Sequence, residues 1–526
     1  MVRLAALLTA LLAHGAVVSA DSDAPPTLHV ANGKGKVELD PTVQHIPLKP
    51  ELKNLRPPPA RVPSTFDIYV GMSVFRDGVR CGKTLLTGFK RATKPDNLYF
   101  GIVDQVYDGD ATCIEEYCKL ASVEWPEHGE CRYREHIRLD KRNAHDSRGC
   151  APARHYQQKL LRDEEFCLQI DGHSIFTNNW DENLVADWKQ TDNEMAVLTT
   201  WLHDIHDFVD EDGNNNVPDF LPHLCATFRG GNGLVRTEDA SMISGSTVPQ
   251  LGTLLGGGFV FSKCHAERRV IVDKHAVWMS DGEEFLRGSH LWTYGYDLYS
   301  PSPLGSVVYH NYSRVPVRFE TVKIDKEQRE LEIEMGINRF HMIVGKDFEG
   351  YVDAKEMDKY AYGTVRSFQT YLNFSGVTFE DGKKDQPRYE QLHWVPYENP
   401  EEIEKLVGGG WKMYPTPKVT ERPRSTQREV KEPKIVVLGK RPEHDDEAQL
   451  RDKLAGHGAV GGEPKEANLR QELADLVRLD AAKTDGSIDI GNVLYLLFFA
   501  GLLLMVAFSY KDLRRQCRRK SYDRFE

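Results

Sequence analysis

The stretch LQIDGHSIF, residues 168–176, decides how this chain is read. An apolar run stops at Asp171-Gly172-His173, and apolar residues resume at Ile175 and Phe176. Residues two apart in an extended segment lie on the same side, so Asp171 and His173 can reach one point. A carboxylate and an imidazole together suit a borderline divalent ion such as Mn2+. The same residues also suit a turn, since Asp and Gly are ordinary turn formers. A third ligand would separate the two readings. His310, which follows the strand-like run 306–309, is the candidate, although an isolated histidine is more often a structural hydrogen-bonder.

Upstream, the spacing alternates. Residues 66–74 (FDIYVGMSV) are β-branched and aromatic and predict a strand. Residues 81–92 place Leu85, Phe89 and Ala92 on one side of a helix, and 98–103 (LYFGIV) predict a second strand. Strand, helix, strand at this spacing is a βαβ unit, hence an α/β fold with a parallel sheet. Ligands of such sheets gather at the carboxyl ends of the strands. Arg76-Asp77, Asp104-Gln105 and Asp171-Gly172-His173 all fall at such ends.

The 526 residues are 40% hydrophobic and 28% charged, a globular balance with room for a large core. A net charge of -12 argues against nucleic acid as the main partner. Residues 1–20 read as a signal peptide, with small residues before Asp21. Residues 490–510 carry no charge and are long enough to span a bilayer. The basic tail 511–526 then stays in the cytosol. The expectation is a type I protein of the secretory-pathway membrane, Golgi or ER, with a luminal body. A Pro-rich linker (21–65) leads to a body (66–379), and a charged stem (380–487) leads to the membrane. Eight luminal cysteines suggest disulfides of open pairing, while Cys517 lies on the cytosolic side. Asn311 and Asn373 stand in glycosylation sequons. The acidic run 210–216 (DEDGNNN) misplaces the glycine of a calcium loop and reads as a polar loop.

Residues 149–185, GCAPARHYQQKLLRDEEFCLQIDGHSIFTNNWDENLV, resemble glycosyltransferase family sixty. Its members are N-acetylglucosaminyltransferases acting on hydroxyproline, related to the polypeptide N-acetylgalactosaminyltransferases. Ala153-Arg154, Gln169-Ile170-Asp171-Gly172-His173 and Trp180-Asp181 stand at the motif positions, with Gly172 where that family has serine. Residues 68–105, 193–201, 256–263, 281–301 and 362–379 extend the resemblance. It implies a GT-A fold, a UDP-sugar donor and a Mn2+ cofactor held by Asp171, His173 and His310. It implies nucleotide-sugar contacts from Ser73, Arg76, Asp77, Gln105, Arg154, Gly257 and Gly258. Glu283, Glu284 and Asp297 are the candidate catalytic or acceptor-side carboxylates. Trp292, Tyr294 and Tyr296 could stack on a sugar, although aromatics this dense are more often core.

The expected activity is metal-dependent, retaining transfer of N-acetylglucosamine or a similar sugar from UDP to a protein hydroxyl in the lumen. Hydroxyproline is not carried over as acceptor, because the hydroxyproline-modifying type works in the cytosol. The alternatives are a non-catalytic carbohydrate-binding or cargo-receptor protein on the same scaffold, and a glycosidase built on the paired acids.

Overall fold

The computed structural model describes residues 25–415 and 435–436, except 34, 129–130, 239 and 314–316. The chain divides into two compact units, Met1–Arg441 and Pro442–Glu526, and the described residues belong to the first. The expected signal peptide, membrane span and tail, and most of the stem, lie outside them. Among the described residues no helix is long and apolar enough to cross a membrane.

The expected linker is not a free one. Thr27–Val30 (β1) and Gly35–Glu38 (β2) pair antiparallel, and Leu28, Leu39 and Leu55 are buried. The prolines that suggested a linker cannot donate backbone hydrogen bonds but keep their carbonyls. Pro58 uses its carbonyl to accept from the Glu194 amide at 2.8 Å. The segment is thereby laid along the wall of the body.

Ile68–Phe75 (β3), Gly78–Lys90 (α1), Leu98–Val106 (β4), Cys113–Glu124 (α2) and Ile137–Asn143 (β5) then follow. β3 and β4 are buried almost throughout, as the near-continuous apolar runs require of central parallel strands. α1 turns Cys81, Leu85 and Phe89 into the core, and the Cys81–Cys113 disulfide ties it to the start of α2. Thr112 and Glu115 cap α2 reciprocally. Cys150–Gln158 (α3) lies so close to β3 that a Cβ on Gly71 would sit 2.2 Å from the Gln157 side chain.

Phe166–Asp171 (β6), Ser174–Phe176 (β7), Trp180–Gln190 (α4), Ala196–Thr199 (β8), Ile205–Phe208 (α5) and Phe220–His223 (β9) come next. A hairpin of Thr227–Arg229 (β10) and Val235–Thr237 (β11) precedes Ser241–Ser244 (β12), Gln250–Gly252 (β13) and Phe259–Lys263 (β14). His265–Arg269 (α6), Glu283–Thr293 (α7), Asp297–Ser300 (β15) and Val308–His310 (β16) complete the set around the cleft. The main sheet has eight strands in the order β13-β15-β8-β14-β6-β3-β4-β5. β6, β3, β4 and β5 are parallel, as expected, but β14 is antiparallel to both its neighbours. The sheet is therefore mixed. A parallel neighbour needs a crossover connection. The chain between β8 and β14 instead contributes β9 and β12 to a small sheet, β2-β1-β12-β9, completed by the N-terminal hairpin.

The body also runs past its expected end at 379. Trp394, Tyr397, Ile403, Val407 and Met413 are buried around Tyr296 and Leu298. Lys326–Val344 (α8), Phe368–Ser375 (α9) and Glu401–Val407 (α10) are the last helices described. Of the eight cysteines expected to pair, six do, with Cys118–Cys131 and Cys167–Cys264 joining the pair above. Cys150 and Cys225 are free thiols. In the acidic loop 210–216 a guanidinium takes a cation's place: Arg91 donates to the Glu211 carbonyl at 2.9 Å and to the Phe176 carbonyl at 2.7 Å.

Candidate functional site

The carboxyl ends of β3, β4 and β6 lie side by side, because the strands are in register: Ser73 pairs with Asp171 and Phe75 with Gln105. A two-stranded ribbon of β7 and β16 sets Ser174 opposite His310. That pairing carries His310 back to the end of β6. Ligand atoms of Asp171, His173 and His310 lie within 4.8 Å of one another. His310 Nε2 is 3.3 Å from Asp171 Oδ2. His310 Nδ1 is buried with no hydrogen-bond partner among the described residues, and His173 Nδ1 lies 3.3 Å from Asp77. One carboxylate and two imidazoles, one of them steadied by a carboxylate behind it, form a donor set that fits a borderline divalent ion. Burial pushes the Asp171 carboxyl up, but the His310 hydrogen bond and the charges of Arg154 and His173 outweigh it and hold the group at about 2. It is ionised and ready to ligate at neutral pH.

Behind the triad lies a second polar layer. Arg154, on α3 and 9% exposed, donates to Glu283 at 2.5 Å and to the Gly257 carbonyl at 2.9 Å, and lies 3.9 Å from Asp171. The Gly257 amide donates to Glu284 at 2.7 Å, and its carbonyl also accepts from Gln169 at 2.8 Å. The Gly257 peptide is thus a hub between the donor half of the sheet and α7. Its glycine follows from space: an added Cβ would stand 2.7 Å from the Arg154 guanidinium. A Cβ on Gly258 would stand 3.2 Å from Asp171 Oδ2. Burial raises Glu284 to about 7, with Glu283 adding to the rise and the Gly257 amide opposing it.

The expected residues divide into those that meet and those that do not. Asp171, His173, His310, Arg154, Gly257, Gly258, Glu283 and Glu284 converge. Asp77 comes near, but as a buried support that pairs with Arg80 and backs His173, not as an open nucleotide contact. Ser73 gives its hydroxyl to Gln157 at 2.9 Å. Arg76 is spent on Asp110, at 2.6 and 2.8 Å, and its positive φ of 52° places it in a turn. Asp297 is a correction. It is 2% exposed and locked to Arg366 at 2.8 Å, with Asn193 and Trp394 donating to it. It opens β15 rather than lining the cleft, because its charge is needed to neutralise a fully buried arginine. Trp292 and Tyr296 are wholly buried, so the aromatics of that segment are core.

Gln105 lines a cavity of about 170 Å3 together with Arg142, Asn143, Arg148, Ala153 and Tyr156. The sequence reading missed Arg142, Asn143 and Tyr156. They sit at the carboxyl end of β5 and on α3, one residue past Ala153-Arg154-His155. The signal was weak, because IRLDKRN alternates charge where a buried strand should be apolar.

A family model described as "Glycosyltransferase (GlcNAc)" matches residues 67–128 and 117–381. No curated protein matches. Among solved structures, the chain is similar to GalNAc-T7 with UDP, GalNAc and Mn2+, at 15% identity and TM-score 0.38, over 62% of this chain and 58% of that one. It thus spans less than two thirds of that structure's chain. It is also similar to the mannosyltransferase PcManGT from Pyrobaculum calidifontis with GDP-Man and Mn2+, at 12% identity, TM-score 0.31 and coverage of 54% and 67%. S. aureus TarS 1–349 with UDP-GlcNAc gives 12% identity, TM-score 0.32 and coverage of 54% and 68%.

Proposed function

The chain belongs to the glycosyltransferase (GlcNAc) family and is a glycosyltransferase, and we propose that it moves N-acetylglucosamine from a UDP-sugar to a hydroxyl of a protein in the secretory lumen. Within that family the reading is the family-sixty type, with retention at the anomeric carbon and anchorage through residues 490–510. The observation that carries it is the convergence of Asp171, His173 and His310 beside Arg154 and the Gly257 peptide.

Mn2+ at the three ligands would neutralise the leaving diphosphate, the usual service of a divalent ion to a phosphate ester. The chain's own residues do the rest. Arg154, itself buried, sits one contact behind Asp171 and supplies fixed positive charge where negative charge develops. Glu283 holds that guanidinium in place. Glu284, at about 7, is half-protonated near neutrality and so can both accept from and donate to a sugar hydroxyl while it grips the Gly257 amide. The cavity beside Gln105, Arg142 and Tyr156 offers the nucleoside a place at the neighbouring strand ends.

The test is UDP release and sugar transfer by the purified protein, supplied in turn with UDP-GlcNAc, UDP-GalNAc and UDP-glucose, with and without Mn2+. Turnover with UDP-GlcNAc that needs the metal is expected. Preference for another sugar would replace the donor, and metal-independent turnover would remove the ion from the reading.

A further inference from the structure

We propose that the concavity on the other side of α3 binds a phosphate- or sulfate-type oxyanion, free or esterified to a polypeptide. It encloses about 270 Å3 and is lined chiefly by His155, Gln158, Lys159, Glu267, Arg268 and Lys359. No such site follows from glycosyl transfer, and the donor cleft shares none of these side chains.

Charge is the first argument. Lys159 has no carboxylate partner among the described residues. Arg268 spends its guanidinium on the carbonyls of Arg162 and Glu164, which leaves its charge uncompensated. Lys359 shares the one carboxylate of Glu356 with Lys274 and His275. The lone acid in the lining, Glu267, is already neutralised by Arg287 at 2.6 Å. A chain of net charge -12 therefore carries a local surplus of cations in one concave place. Such a surplus focuses an anion.

The second argument is an imidazole in the lining whose second nitrogen has no partner among the described residues. His155 is 2% exposed. Its Nδ1 donates to the Val272 carbonyl at 2.8 Å, while Nε2 has no hydrogen-bond partner among the described residues. The rings of Tyr156 and Tyr360 cover its flanks. With Nδ1 bearing the hydrogen, Nε2 offers only a lone pair in the neutral ring. An oxyanion is accommodated either by bringing a hydroxyl hydrogen, as monohydrogen phosphate does, or by protonation of Nε2. Burial and the charges of Lys159, Lys359 and Lys274 hold His155 below its ordinary value. A bound anion that brings no hydrogen, such as sulfate, offsets those charges, so its binding takes up a proton and strengthens as pH falls.

Calorimetric titration of the full-length protein with inorganic phosphate, inorganic sulfate and a phosphoserine peptide tests this at about pH 7.5 and about pH 5.5, either side of the ordinary histidine value. The Asp171→Ala protein is titrated in parallel, to separate this pocket from phosphate entering the donor cleft. Binding is expected to persist in Asp171→Ala, to weaken at least about tenfold in Lys159→Ala/Lys359→Ala, and for sulfate to tighten at the lower pH. His155→Gln should keep much of the affinity and lose the pH dependence. Equal affinity for peptide and inorganic phosphate would mean a free oxyanion, and tighter peptide binding an esterified one. Absence of binding at both pH values, or binding unchanged in the double lysine variant with an unaltered melting temperature, overturns the proposal. Loss of UDP-sugar turnover with this pocket intact would instead count against the catalytic reading alone.

Discussion

Two aspartates of this chain look alike in sequence and behave as opposites in the fold. Asp171 ends β6 and Asp297 begins β15, and each faces an arginine from elsewhere in the chain. Asp297 is saturated: Arg366 lies at 2.8 Å, Asn193 and Trp394 both donate to it, and solvent is shut out. Asp171 is undersaturated. Its arginine stands off at 3.9 Å, its side chain is 37% exposed, and the imidazole beside it keeps a buried nitrogen without a partner among the described residues. A buried charge whose every valence is met by protein is a structural element. One left short of partners, among groups that are also short, is built for something that arrives from outside.

The widest break of this comparison comes from exchanging the two losses. Asp297→Ala leaves the Arg366 guanidinium buried and unpaired, so the chain should lose about 3–5 kcal/mol of stability. Asp171→Ala leaves no buried cation unpaired and should lose clearly less stability than Asp297→Ala, while sugar transfer falls at least about a thousandfold, roughly 4 kcal/mol of barrier. Urea denaturation and UDP release on both variants decide it. If Asp171→Ala unfolds and Asp297→Ala turns over normally, the assignment is reversed.

Metal removal sharpens the same contrast. Manganese at about 100 times its dissociation constant should stabilise the wild type by about 2.7 kcal/mol. EDTA should reverse the gain, and Asp297→Asn, if folded, should retain it. Asp171→Asn should show none. A manganese-induced rise in melting temperature that survives in Asp171→Asn would move the ion elsewhere.

These contrasts also show where the sequence was readable. β3, β4 and β6 were visible because buried parallel strands are long apolar runs, and their ends were visible because polar residues interrupt those runs abruptly. Asp171 and His173 were legible as a local pair. His310 could be named only as a candidate, because the β7–β16 ribbon that delivers it depends on long-range pairing with Ser174. Asp297 was misread for the same reason: Arg366, which consumes it, lies far along the chain. The linker and the stem boundary were misread because proline and charge density say little about whether a segment is laid against a wall. Asp77 was placed correctly at a strand end, but that position could not show it turned toward His173.

A smaller effect is expected one contact behind the metal ligands. Glu283→Gln keeps a hydrogen-bond acceptor for Arg154 and removes the opposing charge. Arg154 then remains buried and cationic beside the Gly257 carbonyl. Turnover should fall about ten- to a hundredfold, roughly 1.4–2.7 kcal/mol, mainly in kcat. Glu283→Asp, which retains the charge at shorter reach, should recover part of it. A pure rise in KM with kcat intact would show Glu283 to be a ground-state binding group rather than a support for Arg154.

The finest test uses Glu284, which shares the Gly257 peptide with Arg154 but, unlike Asp171, is raised by burial, to about 7 from an ordinary 4.5. Between those two values the folded chain holds a proton that the unfolded chain has released. The contribution is therefore fully present below about 4.5 and is lost as pH rises through about 7. Glu284→Gln cannot ionise and should lack that decline. Urea midpoints across this window should converge on the acid side and separate on the alkaline side, the glutamine variant being relatively more stable there. Asp171, already ionised at about 2, contributes no slope in this window, so any slope is assigned by the variant rather than by the cleft as a whole. Parallel curves for the two proteins would mean that Glu284 is ionised throughout. Its grip on Gly257 would then be an ordinary carboxylate contact with no part in proton exchange.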